Sequence, residues 1–590
     1  MDLYGFYTGQ SFDAHEYLGA HRAGEGWIFR VFAPNAARVT LLGEFTDWTE
    51  YEMNRVNDGN FFEVYVDHGR DGERYFHRIY SRSGGYTDHC DIYGFGMELR
   101  PEFKSVLRDL SAYRFHDNKW IAARSDCRDK PLNIYEVHLG SWRRKEDGSW
   151  YSCAEIADEL IEYVKDAGYN YIEFMPLSEH PCDESWGYQN TGFFAPTARY
   201  GTAAQLMELI DKCHRNNIGV IMDFVPVHFA VDDYGLRQYD GSALYEYPNS
   251  AVGVSEWGSC NFMHSRGEVR SFLQSCAYYW LKEFHFDGLR MDAISRIIYW
   301  QGEEARGVNN NGVDFIRTMN KGIKERIPHA LLFAEDSTNF QGVTKPVDWG
   351  GLGYDYKWDM GFMNDTLNFF RTAPEYRSDN YHKLTFSMMY YYNESYILPF
   401  SHDENVHGKA TILQKMSGQY DDKFPQGRAL YLYMYVHPGK KLNFMGGEIG
   451  QLREWDESRE QDWDILKYPK HDSFRVFMKT LNRLYLTHSA FFEGDYQNNG
   501  FRWIDCDNTE NCIYAIERKS SKETLVAVFN LSDAEKKYSI EGYGKSKLLL
   551  NTDWNKFGGD TPDNAKCGLT NIMLPRFSAV LWQVEPKSDL

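Results

Sequence analysis

Asp287-Gly288-Leu289-Arg290-Met291-Asp292-Ala293 alternates charged and apolar side chains. As a strand, its period of two sends Arg290 and Asp292 to one face and Leu289, Met291 and Ala293 to the other. A buried parallel strand carries helices on its apolar side. The charged side must then look into a barrel or cleft, where an unpaired carboxylate is costly. Arg290 is the partner expected to keep Asp292 ionised. Taken alone, the pair reads equally well as a structural ion pair.

Around this stretch, apolar runs alternate with long amphipathic segments. The predicted strands are LNIYEVHL (132–139), YIEFMPL (171–177), GVIMDFVPV (219–227), FDGLRMDA (286–293), LLFAEDS (331–337), YDYKWDM (354–360), ILPFSHDE (397–404) and KLNFMGGE (441–448). CAEIADELIEYVKDAG and TAAQLMELIDKCHRNN have helical spacing, and Thr202 with Gln205 forms a capping box for the second. This alternation predicts a central (β/α)8 TIM-type barrel. Its longest early insertion, rich in Tyr, Gly and Asp, runs over about 229–266 after the third strand. On both sides the pattern changes to short alternating runs broken by turn residues, including WIFRVFAP, RVTLLGEFTDW, FFEVYVD and ERYFHRIYS before the barrel. After it come FRWID, CIYAIERKS, TLVAVFNLS, KKYSIEG, KLLLNTD and AVLWQVEP. These predict two β-sandwiches. The whole reads as a multidomain α/β protein divided at 1–115, 116–488 and 489–590, with the polar stretch around RSDCRDK near the first boundary.

Composition narrows the partners. A chain of 590 residues exceeds one ordinary core. Its net charge of −21 argues against nucleic acid or an anionic membrane, both of which reward clustered Lys and Arg. An aromatic share of 16%, with 42 Tyr, 38 Phe and 16 Trp, suits surfaces that hold sugars. Ten scattered cysteines without ligand-like spacing indicate free thiols in a reducing compartment. MDLYGFYTGQ has neither a basic leader nor an apolar core segment, and no apolar run is long enough to span a bilayer, so a cytoplasmic location is expected.

Polar residues at the carboxyl ends of barrel strands face the site. Four such ends carry Asp223 and His228, Arg290 and Asp292, Glu335, and His402 and Asp403. Singly, each has a plain alternative: a helix cap for Glu335 or Asp336, a satisfied core histidine for His228. Together, three carboxylates beside an arginine and two histidines point to glycoside chemistry. Two carboxyl groups about 5–5.5 Å apart suit a retaining double displacement. Asp292, beside Arg290, is the expected nucleophile. Glu335, facing two anionic aspartates, is the expected general acid, with its pKa pushed up. Asp403 is left to bind and distort the sugar.

The blocks DFVPVH, GLRMDA, AEDS and FSHDE resemble the four sequence regions of the α-amylase superfamily, glycoside hydrolase family 13. YEVHLGSWRR (135–144), EHPCDESWGYQNTG (179–192), GGLGYDYKWDMGFMNDTL (350–367), SHDENVHGK (401–409) and REWDE with the following DW (453–463) resemble its bacterial branching-enzyme group. The likeness covers nearly the whole chain. It extends to a carbohydrate-binding module of family 48 at the amino-terminal sandwich and the terminal β-domain of the same enzymes. The resemblance implies Asp292 as nucleophile, Glu335 as acid/base and Asp403 as transition-state stabiliser, with Tyr188, Asp223, His228, Arg290 and His402 holding the sugar. A core tyrosine is the alternative for Tyr188. It further implies glycosyltransfer, cleaving an α-1,4 bond in a glucan and re-forming it as an α-1,6 branch, by a monomer acting on glycogen- or amylose-like chains. No metal or organic cofactor is expected. Asn190, Asn405 and Gly447 depart from residues common in the group, which bears on loop rigidity and acceptor preference. Set beside longer members, the resemblance implies no additional β-domain before the first sandwich, which bears on the chain-length preference expected. An α-glucan hydrolase of amylase or debranching type could use the same carboxylates. A non-catalytic glycan-binding protein is the alternative from another class.

Overall fold

Continuous apolar runs are what parallel strands need when both faces are covered, and eight of them form the centre of the molecule. A computed structural model describes residues 1–587. Strands β1 (Asn133–Val137), β2 (Tyr171–Phe174), β3 (Gly219–Phe224), β4 (Gly288–Met291), β5 (Leu331–Ala334), β6 (Tyr356–Trp358), β7 (Tyr396–Phe400) and β8 (Lys440–Phe444) close into a barrel in chain order. Each falls within or against the predicted run but is shorter. The run 286–293 yields only Gly288–Met291. Among the long helices, α1 (Cys153–Ala167) and α2 (Ala203–Arg215) lie where the amphipathic spacing places them. The α2 cap is reciprocal: Thr202 Oγ accepts from the Gln205 N–H at 3.4 Å, and Gln205 Oε1 accepts from the Thr202 N–H at 2.9 Å.

The chain divides into two compact units, residues 1–124, 138–161 and 173–355 forming one, and 125–137, 162–172 and 356 onward the other. In the first, the amino-terminal region is built from two antiparallel sheets. One orders Gly19–Ala23, Gly26–Phe32, Phe61–Val66 and Asn54–Val56; the other orders Tyr51–Glu52, Ala36–Gly43, Arg74–Ser81 and Tyr86–His89. Phe29, Val31, Val39, Leu41, Phe61 and Ile79 are buried there. The strand Gly19–Ala23 leaves no mark in the sequence, since GAHRA lacks the apolar alternation of its neighbours. The third-strand insertion folds back on itself through the pairs His228↔Asn261 and Phe229↔Cys260.

At the amino end of β4, Asp287 collects four donors. Trp120 Nε1 and Arg124 Nε reach Oδ1 at 2.7 Å, and the Val220 N–H and His214 Nε2 reach Oδ2 at 2.7 and 3.0 Å. His214 Nδ1 meets Asp117 at 2.7 Å, and His285 Nδ1 meets it at 2.9 Å. The polar stretch near the predicted domain boundary is thereby pinned by buried charge. At Gly288, an added Cβ would stand 2.4 Å from the Leu331 carbonyl, so only glycine lets β4 and β5 approach.

In the second unit, helices α3 (Tyr420–Val436) and α4 (Pro469–Thr487) share a core with the carboxyl-terminal β-region through Leu430, Tyr433, Phe474, Phe477, Phe529 and Leu581. That region orders Phe501–Asn508, Ile513–Lys519, Thr524–Asn530, Ser578–Pro586 and Tyr543–Asn551 in one sheet and pairs Lys536–Tyr538 with Ile572–Leu574 in another. Buried Arg428 donates to the Thr552 and Phe557 carbonyls at 2.5 and 3.0 Å. Lys440 of β8 and Arg518 both hold buried Asp495, at 3.1 and 2.7 Å.

Candidate active site

Parallel register places the charges. Asp223 pairs with Arg290 across β3 and β4, and Arg290 with Phe333 across β4 and β5. Residues in register on adjacent parallel strands point the same way, so Asp223 and Arg290 project together. The ladder continues one step past the strands, with the Asp292 N–H donating to the Phe224 carbonyl at 3.0 Å and the Glu335 N–H to that of Met291 at 3.1 Å. Asp292 and Glu335 are thus set at successive strand ends, and Ala293 turns the chain away with φ +43°.

Arg290, 1% exposed, is the hub. Its Nη1 donates to both Asp223 oxygens at 2.7 and 2.6 Å and to Asp292 Oδ1 at 3.0 Å, while Nη2 donates to Glu335 Oε2 at 2.7 Å. Burial opposes the guanidinium charge, but Asp223 and Glu335 outweigh it and keep Arg290 protonated. The expected Arg290–Asp292 pair is present, though Asp223 is the nearer partner. Glu335 shares the Arg290 fork with Asp223 and Asp292. Its Oε2 accepts from Arg290 and, at 2.9 Å, from the Ala293 N–H. Both donors use Oε2, and no hydrogen bond to Oε1 occurs among the described residues. Tyr188 donates to Asp223 Oδ2 at 2.5 Å, and its ring centroid lies 5.9 Å from the Arg290 guanidinium. The structure therefore gathers Tyr188, Asp223, Arg290, Asp292 and Glu335.

His228 begins the ladder that closes the third-strand insertion. Its buried Nδ1 has no hydrogen-bond partner among the described residues, and its ring lies 5.2 Å from that of Trp257. Burial, with the nearby Arg296 charge, pushes His228 down to about 4, so it is neutral near pH 7.

His402 and Asp403 belong to the second unit and lie in a 3-10 turn, His402–Asn405, just beyond β7 rather than in the strand. Glu136 of β1 holds His402 twice, accepting from its N–H at 2.9 Å and lying 2.5 Å from Nδ1. Glu136 lies within the YEVHLGSWRR block, and its one mark in the sequence is a carboxylate inside a buried strand. Asp403 is half exposed, with Lys409 of the HGK block 3.6 Å away.

Near full-length relatives match this chain. A 1,4-alpha-glucan branching enzyme of Fusobacterium nucleatum is 42% identical over 95% of this chain and 92% of its own length. One from Bacillus subtilis is 40% identical over 100% of this chain and 98% of its own. The chain belongs to the 1,4-alpha-glucan branching enzyme family. Within this branching-enzyme chain, residues 17–94 match carbohydrate-binding module 48, 147–241 the alpha amylase catalytic domain, and 503–585 the alpha amylase C-terminal all-beta domain. A pullulanase from Paenibacillus barengoltzii, solved with maltohexaose and alpha-cyclodextrin, superimposes with a TM-score of 0.77 at 16% identity. It covers 100% of this chain and 97% of its own. That likeness confirms the fold. No helix among the described residues is long and apolar enough to cross a membrane.

Proposed function

We propose that this chain cleaves an α-1,4-glucan bond and rejoins the fragment through an α-1,6 bond, making branches by a retaining double displacement. The observation that carries the chemistry is the fork of Arg290, which holds Asp223, Asp292 and Glu335 in one cluster at the ends of adjacent strands. The near full-length branching-enzyme relatives favour transfer over hydrolysis.

Asp292 attacks the anomeric carbon as the bond from that carbon to the glycosidic oxygen breaks, and Glu335 protonates the departing oxygen. The fragment remains as an ester on Asp292. Glu335 then removes the proton from the 6-hydroxyl of an acceptor chain, whose oxygen displaces Asp292 with net retention. We assign that proton to Glu335 Oε1, because Oε2 accepts from Arg290 and the Ala293 N–H. Asp223 and Arg290 hold the reacting glucose, and the Tyr188 ring packs against its apolar C–H face. Neutral His228 can donate to a sugar hydroxyl. We assign to Asp403 the stabilisation of the distorted sugar and to His402, held by Glu136, a hydroxyl contact; these assignments rest on their place after β7. Transfer requires the acceptor to outcompete water, which positioning supplies through effective concentration.

The domain limits assigned to these roles are 1–115 for the carbohydrate-binding module, 116–488 for the catalytic barrel and 489–590 for the terminal β-domain. We further propose that the protein works as a cytoplasmic monomer on glycogen- or amylose-like chains. Incubation with amylose, followed by proton NMR for α-1,6 linkages and a reducing-end assay, tests the activity. Branching gives linkages with few new ends. Abundant ends without linkages would identify a hydrolase, and neither product a binding protein.

A further inference from the structure

The third-strand insertion carries an aromatic surface that the assignments above leave unused. Trp257 is 47% exposed, an expensive position for an indole. Single exposed aromatics need no explanation, but this one has a specific setting. One side packs on the His228 ring at 5.2 Å with 35° between the planes. The Arg296 guanidinium lies 5.1 Å from the indole centroid and is itself tied to Glu256 and the Gln301 carbonyl. The main chain is equally fixed. The Trp257 N–H donates to Ser255 Oγ at 3.2 Å, the Ser255 N–H to the Ser259 carbonyl at 2.9 Å, and Gln189 Nε2 to the Trp257 carbonyl at 3.4 Å. Gln189 directly follows Tyr188, so the loop is fastened on one side to the neighbour in sequence of the residue assigned to the reacting sugar and packs on the other against His228.

We propose that Trp257 is a specificity-determining residue for the glucan substrate, its exposed indole stacking on a glucose ring beyond the one held by Tyr188. An aromatic face matches the apolar C–H face of a pyranose. Holding the indole in one place before binding also reduces the ordering cost paid when substrate arrives. Arg296 and Ser255 act as positioning residues for that surface. The inference rests on the proposed glucan chemistry and deepens it by naming the residue that grips the chain outside the reacting ring.

The test compares the full-length protein with Trp257→Ala and Trp257→Phe, measuring kcat and KM for amylose by α-1,6 linkage formation, and the thermal midpoint of each. Trp257→Ala should raise KM about threefold to tenfold, with a smaller change in kcat. Trp257→Phe should recover most of the loss. An unchanged KM, a loss confined to kcat, or a phenylalanine variant as impaired as alanine would overturn the assignment. If the parent itself makes no branches, the proposed function fails first. Titration calorimetry with maltoheptaose then decides the role of Trp257 separately, comparing Asp292→Asn with Asp292→Asn/Trp257→Ala. Weaker binding by the double variant supports the stacking role, and equal binding refutes it.

Discussion

At the scale of single residues, the site is an exercise in dividing one positive charge among three carboxylates. Arg290 is buried and its fork geometry lets two nitrogens serve Asp223, Asp292 and Glu335 at once. Lysine offers a point charge in place of that fork. Arg290→Lys should therefore fold less stably and lose at least about a hundredfold in kcat, since misplacing reacting groups by an ångström costs that much. Near-parental kcat in this variant would show that the fork does not position the carboxylates. Asp292→Asn removes the proposed nucleophile while keeping its shape. Branch formation should drop by a thousandfold or more, on the order seen when a covalent nucleophile is lost, with binding of maltoheptaose retained. Residual turnover within tenfold of the parent would remove Asp292 from the covalent role. The Arg290–Asp292 pairing was legible from alternation along one strand. The closer Asp223 partner was not, because it depends on the register between β3 and β4, which a single strand's sequence does not reveal. Glu335 was legible as a strand-end carboxylate, but its two donors come from Arg290 and the Ala293 main chain, a contact made by the left-handed turn after Asp292.

At the scale of elements, long apolar runs were legible because strands covered on both faces have no reason to alternate. All eight barrel strands fall at or within those runs. Their ends were less legible: FSHDE reads as strand, yet pairing stops at Phe400 and His402 enters a 3-10 turn. Short edge elements left even less trace. Gly19–Ala23 and Ile572–Leu574 are too brief or too small-chained to show period two. Elements are also joined by groups that composition cannot assign. Lys440 in β8 and Arg518 in the strand Ile513–Lys519 meet on Asp495, with the lysine and the aspartate side chains both 0% exposed. Removing the shared carboxylate leaves two buried cations without their counter-ion. Asp495→Ala should lower unfolding stability by about 3–5 kcal/mol. Urea unfolding checks this, and a loss below about 1 kcal/mol would mean that the cations find other acceptors or water.

At the scale of the whole molecule, pH acts through the buried cluster at the amino end of β4. Burial opposes charge on His214, but Asp287 and Asp117 outweigh it and raise the histidine above its usual range. Burial likewise opposes ionisation of Asp117 and Asp287, yet His214 and His285 hold the first below the usual carboxylate range, and His214 and Arg124 the second. The histidine contribution is fully present below the unfolded histidine value, about 6.5, and is lost as pH rises through the higher folded value. The aspartate contributions are present above about 4 and are lost as pH falls through their lowered folded values. All three terms therefore act together between about pH 4 and 6.5. His214→Gln keeps a polar side chain but removes the titration. The parent should exceed this variant in unfolding stability by a wider margin at pH 5.5 than at pH 9, measured by urea unfolding at both. A margin that does not change with pH would show that His214 titrates alike in the folded and unfolded chain, and a margin narrower at pH 5.5 would show that it stays neutral when folded; either overturns the raised histidine.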